Sequence, residues 1–266
     1  MMNSKVYNHL LSVRKKKGAG YIVLIDPDKK SENGLAGKVK KINNSGVDAI
    51  FVGGSLLMDG LCSDRVAQIK SLAEIPVIFF PGGISQLNSH YDAILFMSII
   101  SGRNPHYLIG EQVIAAPIVK DLGIEVIPTG YLLLDGGSDS AVQFMSGTAP
   151  IPMDKPDISI AHALAAQYLG KKLIYLEAGS GAKQAVPNEL IKEVVEHVDI
   201  PLIVGGGIRT PEAAREKVKA GASFVVTGTI IEENNNGDMW KERWKEICDL
   251  GNEKNFLTLI ILQPLA

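Results

Sequence analysis

The chain has 266 residues, 46% of them hydrophobic, enough to bury a full core in a single α/β domain. Its 27 basic and 29 acidic side chains nearly cancel, which argues against a general nucleic-acid or membrane-surface binder. The two cysteines, Cys62 and Cys248, form neither a CxxC nor a metal pattern, so a cytoplasmic protein with free thiols is expected. Met1 to Lys17 is too polar for a signal peptide, and no apolar run reaches the length of a membrane span.

In chain order, Val6 to Lys17 carries an amphipathic helix pattern, followed by a buried strand at Tyr21-Ile22-Val23-Leu24-Ile25 that ends in Asp26-Pro27-Asp28. A helix over Ser31 to Asn44 leads to a second strand, Ala49-Ile50-Phe51-Val52, closed by Gly53-Gly54-Ser55. A helix from Asp64 to Ala73 precedes Val77-Ile78-Phe79-Phe80, which stops at Pro81-Gly82-Gly83. So few residues separate that strand from the next, Ala93-Ile94-Leu95-Phe96, that the intervening helix is expected to be very short or absent. A helix over Pro105 to Lys120 and a fifth strand over Glu125 to Leu133 follow.

Asp135 to Asp157 is the least regular stretch, and a loop this long inside a compact domain is usually functional or flexible. A helix over Ile158 to Leu169 then leads into three apolar strands, Leu173-Ile174-Tyr175-Leu176, Leu202-Ile203-Val204 and Phe224-Val225-Val226. Between them lie a helix over Pro187 to Val198 and a second helix opened by Thr210-Pro211, a capping residue followed by proline at the first helical position. Met239 to Asp249 reads as a polar helix bearing Trp240 and Trp244. Eight strand candidates alternate mostly with helices, and the units around Ile75 to Ile84 and Ile200 to Ile208 resemble one another. This pattern predicts a (β/α)8 TIM-type barrel with its third helix replaced by an irregular segment; an open doubly wound sheet is the alternative, disfavoured by the lack of an N-terminal GxGxxG. The expected domain is single, with a barrel core over 21–232 and a C-terminal helix and tail over 238–266.

Each of the last three strands runs into glycines: Gly179 to Gly181, Gly205 to Gly207, and Gly228 before Thr229. Bare backbone N–H groups at strand exits suit an anion, and the loops after strands seven and eight of such barrels commonly hold phosphate. Two carboxylates end strands at the same mouth. Asp26 is a hard oxygen donor suited to Mg²⁺, and Glu177 sits beside the phosphate glycines, placed to hold or deprotonate a substrate hydroxyl. A helix N-cap is the less favoured reading of either carboxylate, and Asp28 is expected to cap or to face solvent. The five histidines show no metal spacing, and no Ser-His-Asp order or reactive cysteine appears, so transfer between bound substrates is favoured over a protein nucleophile. The residues by themselves leave open an isomerase or lyase of a phosphorylated metabolite, or a non-catalytic ligand-binding barrel.

Leu24-Ile25-Asp26-Pro27-Asp28-Lys29, Phe51-Val52-Gly53-Gly54-Ser55, Ile78-Phe79-Phe80-Pro81-Gly82-Gly83, Pro128-Thr129-Gly130-Tyr131, Tyr175-Leu176-Glu177-Ala178-Gly179-Ser180-Gly181 and Val204-Gly205-Gly206-Gly207-Ile208-Arg209 occur in an order that resembles the geranylgeranylglyceryl phosphate synthase family, together with the related heptaprenylglyceryl phosphate synthases. The resemblance runs from about Tyr21 to Glu232 and departs at Leu24, where some relatives carry a basic residue. It implies Mg²⁺-dependent transfer of a prenyl group from a prenyl diphosphate to sn-glycerol 1-phosphate. Asp26 and Ser55 would hold Mg²⁺. Tyr175 through Gly181 would hold the glycerol phosphate, with Gly206, Gly207, Gly228 and Thr229, and Glu177 would be the catalytic base. Phe79, Phe80, Tyr131 and the segment from Leu132 to Thr148 would contribute an apolar groove for the prenyl tail. The long loop from Asp135 to Asp157 resembles the larger, archaeal-like branch and points to a geranylgeranyl donor. A homo-oligomer is expected, with the apolar tail from Phe256 to Leu265 at an interface or folded back on its own chain.

Overall fold

A computed structural model describes residues 4–28 and 34–228. Its centre is a closed barrel of eight parallel strands: β1 Gly20–Ile25, β2 Ala49–Val52, β3 Val77–Phe79, β4 Ala93–Ile99, β5 Glu125–Leu133, β6 Leu173–Glu177, β7 Leu202–Gly205 and β8 Phe224–Thr227. Each pairs with the next, and β8 returns to β1 through the register Gly20↔Phe224 to Val23↔Thr227. Closure excludes the open-sheet alternative. Side chains alternate between two apolar layers, as the two-residue period of a strand requires. Ile22, Phe51, Leu95, Tyr131 and Tyr175 fill the barrel, whereas Val23, Val52, Ile94, Leu132 and Leu176 meet the helices outside.

The helices are α1 Lys5–Lys17, α2 Gly34–Asn44, α3 Cys62–Leu72, α4 Glu111–Leu122, α5 Ala141–Ser146, α6 Pro156–Tyr168, α7 Asn188–His197 and α8 Pro211–Ala220. Thr210 caps α8 as expected, its side chain accepting from the Ala213 N–H at 3.1 Å. α1 precedes the barrel and closes its lower end: Val6 and Leu10 join the interior apolar layer. Both Glu125 oxygens, at the start of β5, accept from α1's first turn, from Val6 N at 2.7 Å and Tyr7 N at 2.8 Å. That carboxylate satisfies orphan N–H groups and complements the positive end of the helix dipole.

Between β3 and β4 there is only a single 3-10 turn, Ile84–Gln86, in place of a helix. Three other elements differ from the sequence reading. β4 continues past Phe96 to Ile99 because Met97, Ser98 and Ile99 pair with Thr129, Gly130 and Tyr131 of the nine-residue β5. The helix expected from Pro105 opens instead with a π turn, His106–Gly110. The irregular loop holds the short α5, capped by Ser140 accepting from Gln143 N and ended by Gly147 in the left-handed region. A bridge from Leu134 to Ile151 returns that loop to the barrel. Thr229, the helix with Trp240 and Trp244, and the tail lie outside the described residues. Among the described residues, no helix is long and apolar enough to cross a membrane.

Candidate active site

The C-terminal ends of all eight strands point to one mouth, as parallel pairing dictates, and a cavity of about 860 Å³ opens there. Asp26, Ser55, Tyr175, Glu177, Gly179, Ser180, Gly181, Gly206, Gly207 and Gly228 all line it. Asp26 and Gly228, from opposite ends of the described residues, are thus brought to one chamber. Leu176 and Ala178 are not brought there. They alternate with Tyr175 and Glu177 on β6 and its exit, so their side chains pack in the layer between strands and helices. Only their backbone is available to a ligand.

Glu177 is the last residue of β6 and points inward, 8% exposed. Burial raises its pKa from the ordinary carboxylate range to about 7, opposed by the Gly179 N–H, which donates to Oε1 at 2.7 Å, and by the nearby Tyr175 hydroxyl. The Tyr175 hydroxyl lies beside the carboxylate without the geometry of a hydrogen bond, and it is buried with no acceptor of its own. Burial and the adjacent glutamate hold both Tyr131 and Tyr175 phenols well above their usual pKa, so both stay protonated. Backbone close to Glu177 leaves no room for side chains. Gly206 has φ +81, and a Cβ there would stand 2.4 Å from Glu177 Oε1. The turns from Gly179 and Gly206 therefore present N–H groups and an acid in one concave surface. Glu177 is no helix cap: the next helix, α7, begins only at Asn188.

Across the mouth, Asp26 closes β1. One of its oxygens accepts from Asp28 N at 3.1 Å, and Gly54 presses against the carboxylate so closely that a Cβ there would lie 2.9 Å from Oδ1. This turn is held from a third element. Gln86, 3% exposed in the 3-10 turn, donates through Nε2 to the Gly54 carbonyl at 2.6 Å and accepts from Gly54 N at 3.3 Å. Asp28 does not face solvent as expected. Arg65 of α3 reaches over it, Nη1 to Oδ1 at 2.7 Å, and Met58 N donates to its other oxygen. The Asp26 carboxylate and Ser55 hydroxyl are hard oxygen donors facing the same cavity. One carboxylate completed by substrate oxygens is a usual Mg²⁺ arrangement, so the donor set fits that ion.

An apolar arm of the cavity extends over β3 and β4, where the missing helix would have lain. Phe80, Tyr131 and Tyr175 form its inner end, with ring centroids 5.6 Å apart for Phe80–Tyr175 and 5.4 Å for Tyr131–Tyr175. Ile94 and Phe96 of β4 and Ala115 of α4 make its outer wall. From the irregular loop, Ser140 to Ser146 contributes Val142 and Met145, while Leu132 is buried in the outer layer and Thr148 is not at the cavity. Glu111 ties the arm's two sides together, accepting from Ile84 N at 3.0 Å and pairing with His106 at 2.8 Å. Sequence reasoning missed Gln86, Glu111 and Arg209. Arg209 also lines the cavity, with one Nη on the Ala182 carbonyl at 2.8 Å, and its sequence signal is its place at the end of the Val204 to Arg209 segment, two residues after the glycines.

A model of the PcrB family matches residues 11–247. The chain belongs to the PcrB family. Among relatives, it is 45% identical to a geranylgeranylglyceryl phosphate synthase of Chitinophaga pinensis, over 87% of this chain and 92% of that one. It is 47% identical to one of Thermococcus kodakarensis, over 85% and 90%. Its fold is similar, with a TM-score of 0.83 and 37% identity, to a crystal structure of (S)-3-O-geranylgeranylglyceryl phosphate synthase from Thermoplasma acidophilum in complex with sn-glycerol-1-phosphate, covering 93% of this chain and 98% of that one. The PcrB match spans every strand of the barrel and both carboxylate turns.

Proposed function

We propose that this chain transfers a geranylgeranyl group from geranylgeranyl diphosphate to sn-glycerol 1-phosphate, forming an ether bond and releasing diphosphate. The observation that carries it is one cavity with three chemically distinct regions: a glycine cradle with a buried acid, a hard-oxygen pair, and an apolar arm. The glycines after β6, β7 and β8 hold the phosphate of the acceptor, with Arg209 adding positive charge. Glu177, held near neutrality by burial, accepts the proton of the attacking glycerol hydroxyl. The glycerol oxygen forms its bond to the first prenyl carbon as that carbon's bond to diphosphate breaks, and the bonding electrons leave with the diphosphate. Tyr175 and Tyr131, protonated and apolar-bodied, fix the acceptor between Glu177 and the prenyl arm. Holding both partners in one chamber removes much of the entropic part of the barrier.

Asp26 and Ser55 would hold Mg²⁺. Bound there, the ion would neutralise charge on the departing diphosphate. Gln86 fixes the Gly54 turn and so the spacing between Asp26 and Ser55. The exposed Val113, Ile114 and Ile118 of α4 offer an apolar face through which a homo-oligomer would form.

The test is a transfer assay with Mg²⁺, radiolabelled geranylgeranyl diphosphate and each stereoisomer of glycerol phosphate. Label should move to sn-glycerol 1-phosphate in preference to its mirror image. Absence of transfer to either would defeat the proposal. Asp26→Ala should abolish turnover while the far-ultraviolet circular dichroism stays that of the wild type; retained turnover would remove the metal-holding role.

A further inference from the structure

The 3-10 turn Ile84–Gln86 stands where the barrel pattern calls for a helix, and side chains from other elements hold it at both ends. At its start, Ile84 N donates at 3.0 Å to Oε2 of Glu111, in the first turn of α4. At its end, Gln86 clasps Gly54 through both the N–H and the carbonyl of that glycine. Leu87 N closes the turn on the Ile84 carbonyl at 3.0 Å, so its two ends move together. Glu111 is itself fixed by His106, whose Nε2 meets Oε1 at 2.8 Å. The β2 exit has no slack to absorb a shift of this turn. A Cβ at Gly53 would collide with the Phe80 carbonyl, and one at Gly82 with the Gly54 carbonyl, so backbone meets backbone where β2 and β3 end. On its other side Gly54 presses against the Asp26 carboxylate. A continuous path of hydrogen bonds and close contacts therefore runs from α4 through the 3-10 turn to the turn between Asp26 and Ser55.

Resting on the reading of Asp26 and Ser55 as the metal-holding pair, we propose that Glu111 is a positioning residue for that pair, acting through the 3-10 turn and Gln86. Glu111 makes its hydrogen bonds to Ile84 and His106, not to either metal donor. Its carboxylate gives the β3–β4 connection the tie to the helix layer that a packed helix gives the other connections. Hard-oxygen donors hold a cation only at the right spacing, and the partners that fix that spacing matter nearly as much as the donors themselves. The link depends on an acceptor for Ile84 N. An amide oxygen at position 111 keeps that acceptor, whereas a methyl group removes it.

The experiment titrates the protein with Mn²⁺ and reads the free ion by electron paramagnetic resonance. It compares the wild type with Glu111→Ala, Glu111→Gln, Gln86→Leu and the double variant of Glu111→Ala with Gln86→Leu, each checked by thermal melting. The binding counted is the part lost in Asp26→Ala. Gln86→Leu should weaken it roughly tenfold and Glu111→Ala roughly fivefold, while Glu111→Gln stays within about twofold of the wild type. The double variant should bind no more weakly than Gln86→Leu alone, because the two residues act along one path. In transfer assays, Glu111→Ala should need a correspondingly higher Mg²⁺ concentration for its half-maximal rate. If Gln86→Leu fails to fold, the contrast between the two Glu111 variants decides the matter. Wild-type Mn²⁺ affinity in Glu111→Ala, equal losses in both Glu111 variants, or additive losses in the double variant would each overturn the proposal. Wild-type protein with no Asp26-dependent Mn²⁺ binding would instead defeat the metal-holding reading on which it rests, so the two failures are distinct.

Discussion

Glu125 and Glu177 lie on adjacent strands at opposite ends of the barrel, and each leaves 8% of its surface exposed. By burial they are indistinguishable, yet their surroundings differ. Both oxygens of Glu125 accept charge-assisted hydrogen bonds from the first turn of α1, at 2.7 and 2.8 Å. Glu177 accepts one, from Gly179, and its other neighbour is a tyrosine hydroxyl that makes no proper bond to it. The lower carboxylate is therefore spent on closing the barrel. The upper one is left partly unsatisfied in a cavity, with its pKa raised to about 7. Buried charge marks a site only when its hydrogen-bonding capacity is held in reserve.

The largest effect that would break this contrast is at Glu177. Glu177→Gln should lower kcat by about 10²–10⁴-fold through loss of the base. Its stability should move the other way. A carboxyl whose pKa is higher folded than unfolded contributes stability below its unfolded pKa and loses it as pH rises through about 7. Glutamine carries no such penalty, so the variant should melt at the same temperature as the wild type near pH 4 but be more stable at pH 8, by on the order of 1–3 kcal/mol. Wild-type turnover, or a melting difference independent of pH, would return Glu177 to a structural role. Tyr175→Phe comes next. Its hydroxyl has no acceptor in the free protein, so removing it should leave stability unchanged or raised while weakening glycerol phosphate binding roughly tenfold by calorimetry. A destabilised variant with unchanged binding would show that the hydroxyl is structural. Glu125→Gln should give the smallest catalytic effect, with transfer kinetics unchanged and stability lower by about 1–3 kcal/mol in urea, since an amide nitrogen cannot accept the second N–H. Lost activity at full stability would dissolve the distinction between the two ends.

The barrel was legible in the sequence because each strand is a short apolar run that ends at glycines or acids, and Glu177 and Asp26 were legible because they occupy those ends. Their convergence followed from parallel pairing alone. What stayed hidden depends on neighbours far apart in the chain. Glu125 serves Val6 from 119 positions away, and Gln86 holds Gly54 from 32. Nothing local to Gln86 marks it, since its function exists only where a 3-10 turn backs onto the β2 exit. Leu176 and Ala178 share one sequence block with Tyr175 and Glu177, but strand alternation divides that block between two faces. α5 escaped notice because six residues are too few to show a helical period. The length of β4 was set by its partner β5 rather than by its own composition.

The most direct test is a titration of the glutamate carboxyl carbons by NMR, in wild-type protein labelled at glutamate and in the same protein carrying Glu177→Gln. One resonance should titrate near pH 7 in the wild type and vanish in the variant, while the remaining resonances are unchanged. A wild-type spectrum in which every glutamate titrates in the ordinary carboxylate range would contradict the assignment of Glu177 as a base held in reserve.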